Sequence, residues 1–380
     1  RVRALAAAAG RRVPVVFGGV HATFRPEEAL EHGDYVLRGE AEESFPALLD
    51  ALNNGGDLGD IPGLTFRDGR DVRHNRDAPC IADLDRLPDP DLGLIRNYRP
   101  GITPILASRG CPHDCIFCCV TRMMGRQYRF NGIARVLAQL RRAATGGVFF
   151  YDDNFAADRR RTKELLQAMI AEDLRLRWSA QVRSDVAEDE ELLALMRRAG
   201  CAILYIGFES VNQDTLTELH KGLSIAAVER NIRAIKRHGL QIHGMFVFGA
   251  DNDHPAVLRQ TVAFARRTGL DTVQFMTLTP LPGTPLYEKL AGEGRLITTD
   301  WRRYDGANVV FRPAGMTAYE LQRLTLWALR RFYSAGLFLR YAWRAEWAKA
   351  GLVVYARHII RRWTARNKRA LRRLKLLEGY

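Results

Sequence analysis

The chain has 380 residues, 47% hydrophobic and 26% charged, a composition that supports a packed core and excludes global disorder. It contains no run of eighteen uncharged apolar residues, which excludes an ordinary membrane-spanning helix. The net charge of +14 is uneven: residues 321–380 carry fifteen Lys or Arg and two Glu, a net of +13, and the rest of the chain is close to neutral.

The opening RVRALAAAAG reads as the end of a helix already under way, so the sequence is expected to start inside a domain. VPVVFGG (13–19) reads as a strand feeding a tight loop at Gly18 and Gly19, and RPEEALEHG as a helix. DYVLRGE (34–40) is a second short strand, and AEESFPALLDAL a second helix. This alternation predicts the remaining part of a parallel, doubly wound, Rossmann-like sheet. LTFRDGRDVRHN (64–75), centred on Asp68-Gly69, predicts a β-hairpin. The proline- and aspartate-rich DRLPDPDLGLI (85–95) reads as a linker, so residues 1–97 form the first region.

Residues 98–300 repeat strand and helix six times. The strands are expected in ITPILAS, GGVFFYDD, LRWSAQVRSD, CAILYIGFES, LQIHGMFVFGA and DTVQFMTLTP. RRRTKELLQAMIAE and AAVERNIRAIKRHG are plain helices among those between. The fold class is therefore α/β, a partial (β/α)6 TIM-like barrel whose active site belongs at the strand carboxyl ends. Residues 301–380 are expected to form a helical, basic extension.

Four of the six cysteines fall within nine residues: Cys111, Cys115, Cys118 and Cys119. Disulfide scaffolds spread their cysteines, so this cluster points to a reducing compartment, the cytoplasm, and to a metal site. Cys111-x3-Cys115-x2-Cys118 puts three thiolates on one loop just after the first barrel strand. Three ligands can hold a cubane while leaving its fourth iron without a protein ligand. A structural zinc site is the alternative, but zinc prefers two separated ligand pairs. Cys119 reads as a packing thiol, and Cys80 and Cys201 as core residues. His113 reads as a loop residue.

At SRGCPHDCIFCCVT the sequence resembles the radical S-adenosylmethionine superfamily, including the aromatic Phe117 before the third cysteine. YDDNF, SAQVRSD, IGFES, GMFVFGAD and TPLPGTP follow in the family's order at successive strand ends. The resemblance implies a 4Fe–4S cluster on Cys111, Cys115 and Cys118. It implies S-adenosylmethionine near Phe117, Asp152, Asp153, Arg183, Glu209, Ser210 and Gly249. Asp152 and Asp153 are adjacent on a strand, so at most one of them faces the ligand. Arg183 and Glu209 are also readable as a buried structural pair. The resemblance further implies one-electron cleavage to a 5′-deoxyadenosyl radical, with a flavodoxin or ferredoxin as donor. No side chain is assigned a catalytic role.

The order GG-x-H, PEE and GE-x-E before such a barrel resembles the carboxyl-terminal half of a cobalamin-binding domain. It implies cobalamin near Gly18, Gly19, Gly39 and Glu40, with the alternative that these are ordinary α/β turns. His21 is not placed to be an axial ligand. C-methylation or another radical transformation of an unactivated carbon, such as cyclisation, ring contraction or oxidation, is the expected outcome, in a lipid or another hydrophobic metabolite, and the residues alone do not separate these. The rivals are a radical tRNA-modifying enzyme resembling methylthiotransferases and a non-catalytic iron–sulfur or cobalamin sensor. The first lacks support, because its three extra cysteines are missing, and nucleic acid is not expected as a partner.

The tail interleaves basic residues with Trp343, Trp347, Tyr355 and Trp363. This suits peripheral contact with an anionic inner membrane surface, and equally a helix packing its apolar stripe on the barrel. On the first reading, removing residues 335–380 lowers liposome binding and spares cluster loading.

Overall fold

The computed structural model describes residues 8, 10, 13–96, 101–143 and 147–377. The expected opening helix lies largely outside these.

The N-terminal region has strands β1 (Val16–Phe17), β2 (Tyr35–Leu37), β3 (Leu64–Asp68) and β4 (Asp71–His74), with helices α1 (Val20–Phe24), α2 (Pro26–Leu30) and α3 (Ser44–Asn54). They form one sheet in the order β1-β2-β3-β4. Only β1 and β2 pair in parallel; β3 pairs antiparallel with β2. The expected all-parallel sheet is thus mixed, because the hairpin takes the edge beside β2. That hairpin has the predicted turn, with Asp68 opposite Asp71 and Gly69 at φ 61°. The strand expected over 13–19 shortens to Val16–Phe17. Leu37, Leu48, Ile61, Leu64 and Phe66 make the core of this small layer.

The second region begins with β5 (Thr103–Ile105), followed by β6 (Ser108–Arg109), α4 (Val120–Met124), β7 (Arg129–Phe130) and α5 (Ile133–Arg141). Then come β8 (Gly147–Phe150), α6 (Arg159–Ala171), β9 (Arg177–Val182), α7 (Glu190–Arg198) and β10 (Cys201–Glu209). The series ends with α8 (Gln213–Glu218), α9 (Ile225–Arg237), β11 (Gln241–Phe248), α10 (Pro255–Arg267), β12 (Thr272–Thr277) and α11 (Pro285–Gly292). The six main strands form an open parallel sheet in the order β12-β11-β10-β9-β8-β5, as the six repeats predicted. Side chains alternate along each strand. Val148, Phe150, Trp178, Ala180, Leu204, Ile206, Phe246 and Phe275 are buried in one continuous core with apolar residues of the helices. The other face carries half-buried Phe149, Tyr205 and His243, with Tyr205 and His243 rings 4.7 Å apart.

The linker is not loose. Asp85 accepts the Gly132 N–H at 2.7 Å, capping α5, and Asp89 accepts from Arg135 at 3.0 Å and Gln139 at 2.6 Å.

The C-terminal region is helical, as expected: α12 (Ala318–Phe332), α13 (Ala335–Trp343), α14 (Trp347–Arg366) and α15 (Lys368–Leu377). Thr317 and Glu320 form a capping box that starts α12. The outer edge of β12 would otherwise present unpaired backbone groups. Tyr333 covers it: its hydroxyl accepts the Val273 N–H at 3.0 Å and donates to the Val273 carbonyl at 2.7 Å. The Tyr341 hydroxyl donates to the Asp271 carbonyl at 2.6 Å, and Lys349 pairs with Asp271 at 2.7 Å. Of the two expected roles of the tail, packing on the barrel is therefore present over residues 335–377. Leu337, Tyr341, Ala350, Val353 and Ile360 are built into the barrel core, so their removal would expose β12. Among the described residues, no helix is long and apolar enough to cross a membrane.

Candidate functional site

The cysteines lie on the loop between β6 and β7, two short antiparallel strands that continue from the carboxyl end of β5. Gly110 makes the neck of this loop. Its φ is 86°, and a Cβ there would lie 2.3 Å from the Gln127 carbonyl oxygen, so only glycine fits. Inside the loop the Cys118 N–H donates to the Cys115 carbonyl at 3.1 Å. The Ile116 carbonyl accepts the Leu286 N–H of α11 at 3.1 Å, which ties the loop to the far end of the sheet. Ile116 and Phe117 pack on the barrel core.

Cys111, Cys115 and Cys118 are half-buried, and Cys115 lies within electrostatic range of both Cys111 and Cys118. Burial pushes the Cys118 thiol up to about 12, and it raises Cys111 and Cys119 as well. Such thiols become thiolates only when a cation compensates them. Three thiols on one loop are the donor set that a cubane uses, whereas structural zinc prefers two separated ligand pairs.

The two aspartates after β8 divide as their adjacency required. Asp152 is fully buried and accepts from the Ser108 hydroxyl and from the Ala107 N–H at 3.2 Å. Burial pushes its carboxyl up to about 6. It ties together the strands of the cysteine loop. Asp153 turns to the rim, accepts the Gly110 N–H and lies within electrostatic range of Cys111 and Cys119; partial burial raises its carboxyl.

Arg183 follows β9 and is buried. One guanidinium nitrogen donates to the Lys221 carbonyl, and its buried Nε makes no hydrogen bond among the described residues, only an ion-pair contact with Asp185 at 3.9 Å. Arg183 lies within electrostatic range of Cys111 and His113. His113 is depressed, first by burial and then by Arg183.

Glu209 closes β10 with φ 64°, a left-handed conformation that costs a non-glycine residue about 1 kcal/mol or more. A register shift between Gly207 and Glu209 delivers it there. Its carboxylate pairs with Lys221 at 2.6 Å, and both groups are buried. A Cβ on Gly207 would stand 2.4 Å from the Glu209 carboxylate, so that glycine leaves room for the pair. Ser210 is buried beside it and accepts the Asn212 N–H at 3.1 Å. Lys221 is the member of this group that sequence reading missed. It sits on a loop twelve residues after Glu209, with no motif or periodicity to mark it.

Gly249 ends β11 with φ 109°, donates to Asp253 at 2.9 Å, and would place a Cβ 2.7 Å from Leu321. Its position is thus dictated by packing under α12. The TPLPGTP loop supports the N-terminal region: Phe24 packs against Gly283, and Arg25 lies over Tyr287 and Trp301.

In the N-terminal region, Gly19 and Gly39 have φ 89° and 75°, and Gly18 lies against the Leu37 carbonyl. Thr23 joins the two loops, accepting the Gly39 N–H at 3.0 Å and donating to the Gly19 carbonyl at 2.9 Å. Glu40 lies at the centre of an ion-pair network. Its buried carboxylate is committed to Arg129 at 2.7 and 3.0 Å, Arg109 at 3.0 Å and the Ile81 N–H at 2.6 Å. It locks the N-terminal region to the strands of the cysteine loop. His21 is edge-on to Trp301, with ring centroids 5.0 Å apart, within the same contact.

Comparison with known proteins agrees with this layout. Residues 105–262 match the Radical SAM superfamily, and residues 1–49 match the B12 binding domain. An uncharacterized methyltransferase of Pyrococcus horikoshii, PH0819, is 30% identical over 331 residues, covering 84% of this chain and 72% of that protein. The anaerobic magnesium-protoporphyrin IX monomethyl ester cyclase of Cereibacter sphaeroides is 30% identical, covering 87% of this chain and 56% of its own length. The solved structure of the radical S-adenosylmethionine methyltransferase TsrM from Kitasatospora setae, with tryptophan substrate and a cofactor analogue bound, superimposes with TM-score 0.67. It is 21% identical, covering 77% of this chain and 61% of TsrM. The chain thus spans a little over half to about three quarters of these proteins.

Proposed function

The chain belongs to the radical S-adenosylmethionine superfamily, and from that premise we propose that it performs a cobalamin-dependent C-methylation at an unactivated carbon. The cofactors that follow from the matched domains are a 4Fe–4S cluster, S-adenosylmethionine and cobalamin. When bound, they supply reductive cleavage of a C–S bond and a transferable methyl group.

The residues divide this work. Cys111, Cys115 and Cys118 would hold the cluster on a loop whose neck is fixed by Gly110. The buried Arg183 guanidinium would donate to an anionic group of the cofactor, such as its carboxylate. Glu209, held by Lys221, and Ser210 would orient the polar end, with Asp153 and Phe117 at the loop side and Gly249 behind. Gly18, Gly19 and Gly39 would let backbone approach cobalamin. We take residues 1–97, 98–300 and 301–380 as the cobalamin-binding, barrel and helical regions. A small hydrophobic or lipid-like substrate and a flavodoxin- or ferredoxin-like donor complete the reading.

The supporting observation is the juxtaposition, at the strand carboxyl ends, of three neighbouring thiols with the buried Arg183 guanidinium, which lies within electrostatic range of Cys111. Methyl transfer is preferred to cyclisation because PH0819 and TsrM are both described as methyltransferases. Anaerobic reconstitution followed by mass spectrometry tests it. Formation of both 5′-deoxyadenosine and S-adenosylhomocysteine is expected. 5′-Deoxyadenosine alone would refute methyl transfer and keep the radical reading; neither product would leave a cofactor-binding sensor.

A further inference from the structure

The C-terminal helices end in a surface that the barrel chemistry does not use. On one side α13 and α14 bury Leu337, Tyr341, Ala350 and Val353 in the core. Their opposite side is apolar too. Trp343 is 92% exposed, Trp347 67%, Leu339 64% and Tyr355 62%. Exposed Val354 and Ile359 continue the patch along α14. Large apolar groups clustered in water mark a surface that something covers.

The surrounding charge says what covers it. Arg344 follows Trp343, and Arg361 and Arg362 lie on the last turns of α14; all three are exposed. Glu346 is the single acidic residue between 333 and 377, and it is paired with Lys349 at 3.0 Å. A polyanion such as RNA would meet the arginines and leave Leu339, Val354 and Ile359 in water. A bilayer surface with anionic headgroups satisfies both: the rings and aliphatic groups enter the headgroup boundary while guanidinium groups reach phosphates.

We propose that the exposed face of α13 and α14 is a docking surface for an anionic lipid bilayer, held peripherally and not spanning it. The face lies by Asp271, at the amino end of β12, whereas the cysteine loop follows the carboxyl end of β5. In a parallel sheet these are opposite ends, so docking leaves the cysteine loop uncovered. This inference is independent of the radical chemistry.

The test is flotation of the reconstituted 380-residue chain with phosphatidylcholine vesicles, with and without phosphatidylglycerol. Binding is expected to need phosphatidylglycerol and to weaken with salt. The double variant Trp343→Ser, Trp347→Ser should lower partitioning by about tenfold or more. Arg361→Gln, Arg362→Gln should lower it less and flatten the salt dependence. Iron content and cluster absorbance are read on each variant. If loading fails while flotation persists, the cluster assignment fails and this one stands. Equal binding to neutral vesicles, unchanged binding of the tryptophan variant, or RNA binding without flotation would overturn the proposal. Self-association abolished by the tryptophan variant, again without flotation, would overturn it too.

Discussion

Two buried charge networks sit on either side of the cysteine loop, and they are built differently. Around Glu40 one carboxylate is shared by two arginines and a backbone N–H, while the Arg129 Nε is buried without a hydrogen-bond partner among the described residues. Around Glu209 the backbone is strained: the glutamate is in a left-handed conformation, its lysine comes from a loop twelve residues on, and the Arg183 Nε has only an ion-pair contact with Asp185 at 3.9 Å. The first network holds two regions together. Strain of the second kind gathers at binding sites, where a ligand can offset it.

This contrast breaks most visibly at Glu40. Glu40→Ala leaves Arg129 buried without its counter-ion and is expected to cost about 3–5 kcal/mol in urea denaturation. Cofactor affinity per folded molecule should stay close to the parent. If affinity falls and stability does not, the two networks have been assigned the wrong way round.

Gly110→Ala tests the neck between them. It sets a methyl against the Gln127 carbonyl at positive φ, which should cost about 1–3 kcal/mol and reduce iron loading. Full loading would show that the neck does not shape the loop.

Arg183→Gln should do the reverse of Glu40→Ala. Stability should change by about 1 kcal/mol or less, since one hydrogen bond to the Lys221 carbonyl is lost. S-adenosylmethionine affinity, measured by equilibrium dialysis, should weaken about tenfold, or ~1.4 kcal/mol.

The smallest effect is a slope. Burial alone would raise the Glu40 carboxyl, but hydrogen bonds from Arg129, the Ile81 N–H and Arg109 outweigh it and hold the group below its ordinary 4.5. A depressed carboxyl contributes stability above its unfolded value and loses it as pH falls through the folded one. Asp152, pushed up to about 6, works oppositely, contributing below 3.8 and losing that contribution as pH rises to about 6. Glu40→Gln should therefore flatten the loss of stability below pH 4.5 and leave the change between 4 and 6 intact.

The sheet was legible because its signals are local. All six expected strands occur within their predicted segments, since alternation and strand-ending turns are written in adjacent residues. The cysteine loop was legible for the same reason. What escaped notice depends on distant contacts. The ion pairs of Glu40 were not legible because Arg129 lies 89 positions away. Asp152 and Asp153 could be split only by the orientation of β8. Packing of the tail on the barrel was one of two readings, and its contacts were not legible because Tyr333 and Tyr341 reach β12 across 60 and 70 residues. In the N-terminal region, turn chemistry at Asp68-Gly69 was readable, but the hairpin's seat beside β2 was not.

The central claim is that Cys111, Cys115 and Cys118 leave one iron open for S-adenosylmethionine. It is tested most directly by electron paramagnetic resonance of the anaerobically reconstituted, reduced protein. The cluster signal should shift when S-adenosylmethionine is added, should vanish in Cys111→Ala, Cys115→Ala and Cys118→Ala, and should survive in Cys119→Ala. A spectrum indifferent to the cofactor, or one lost with Cys119 and kept without Cys118, would contradict the account.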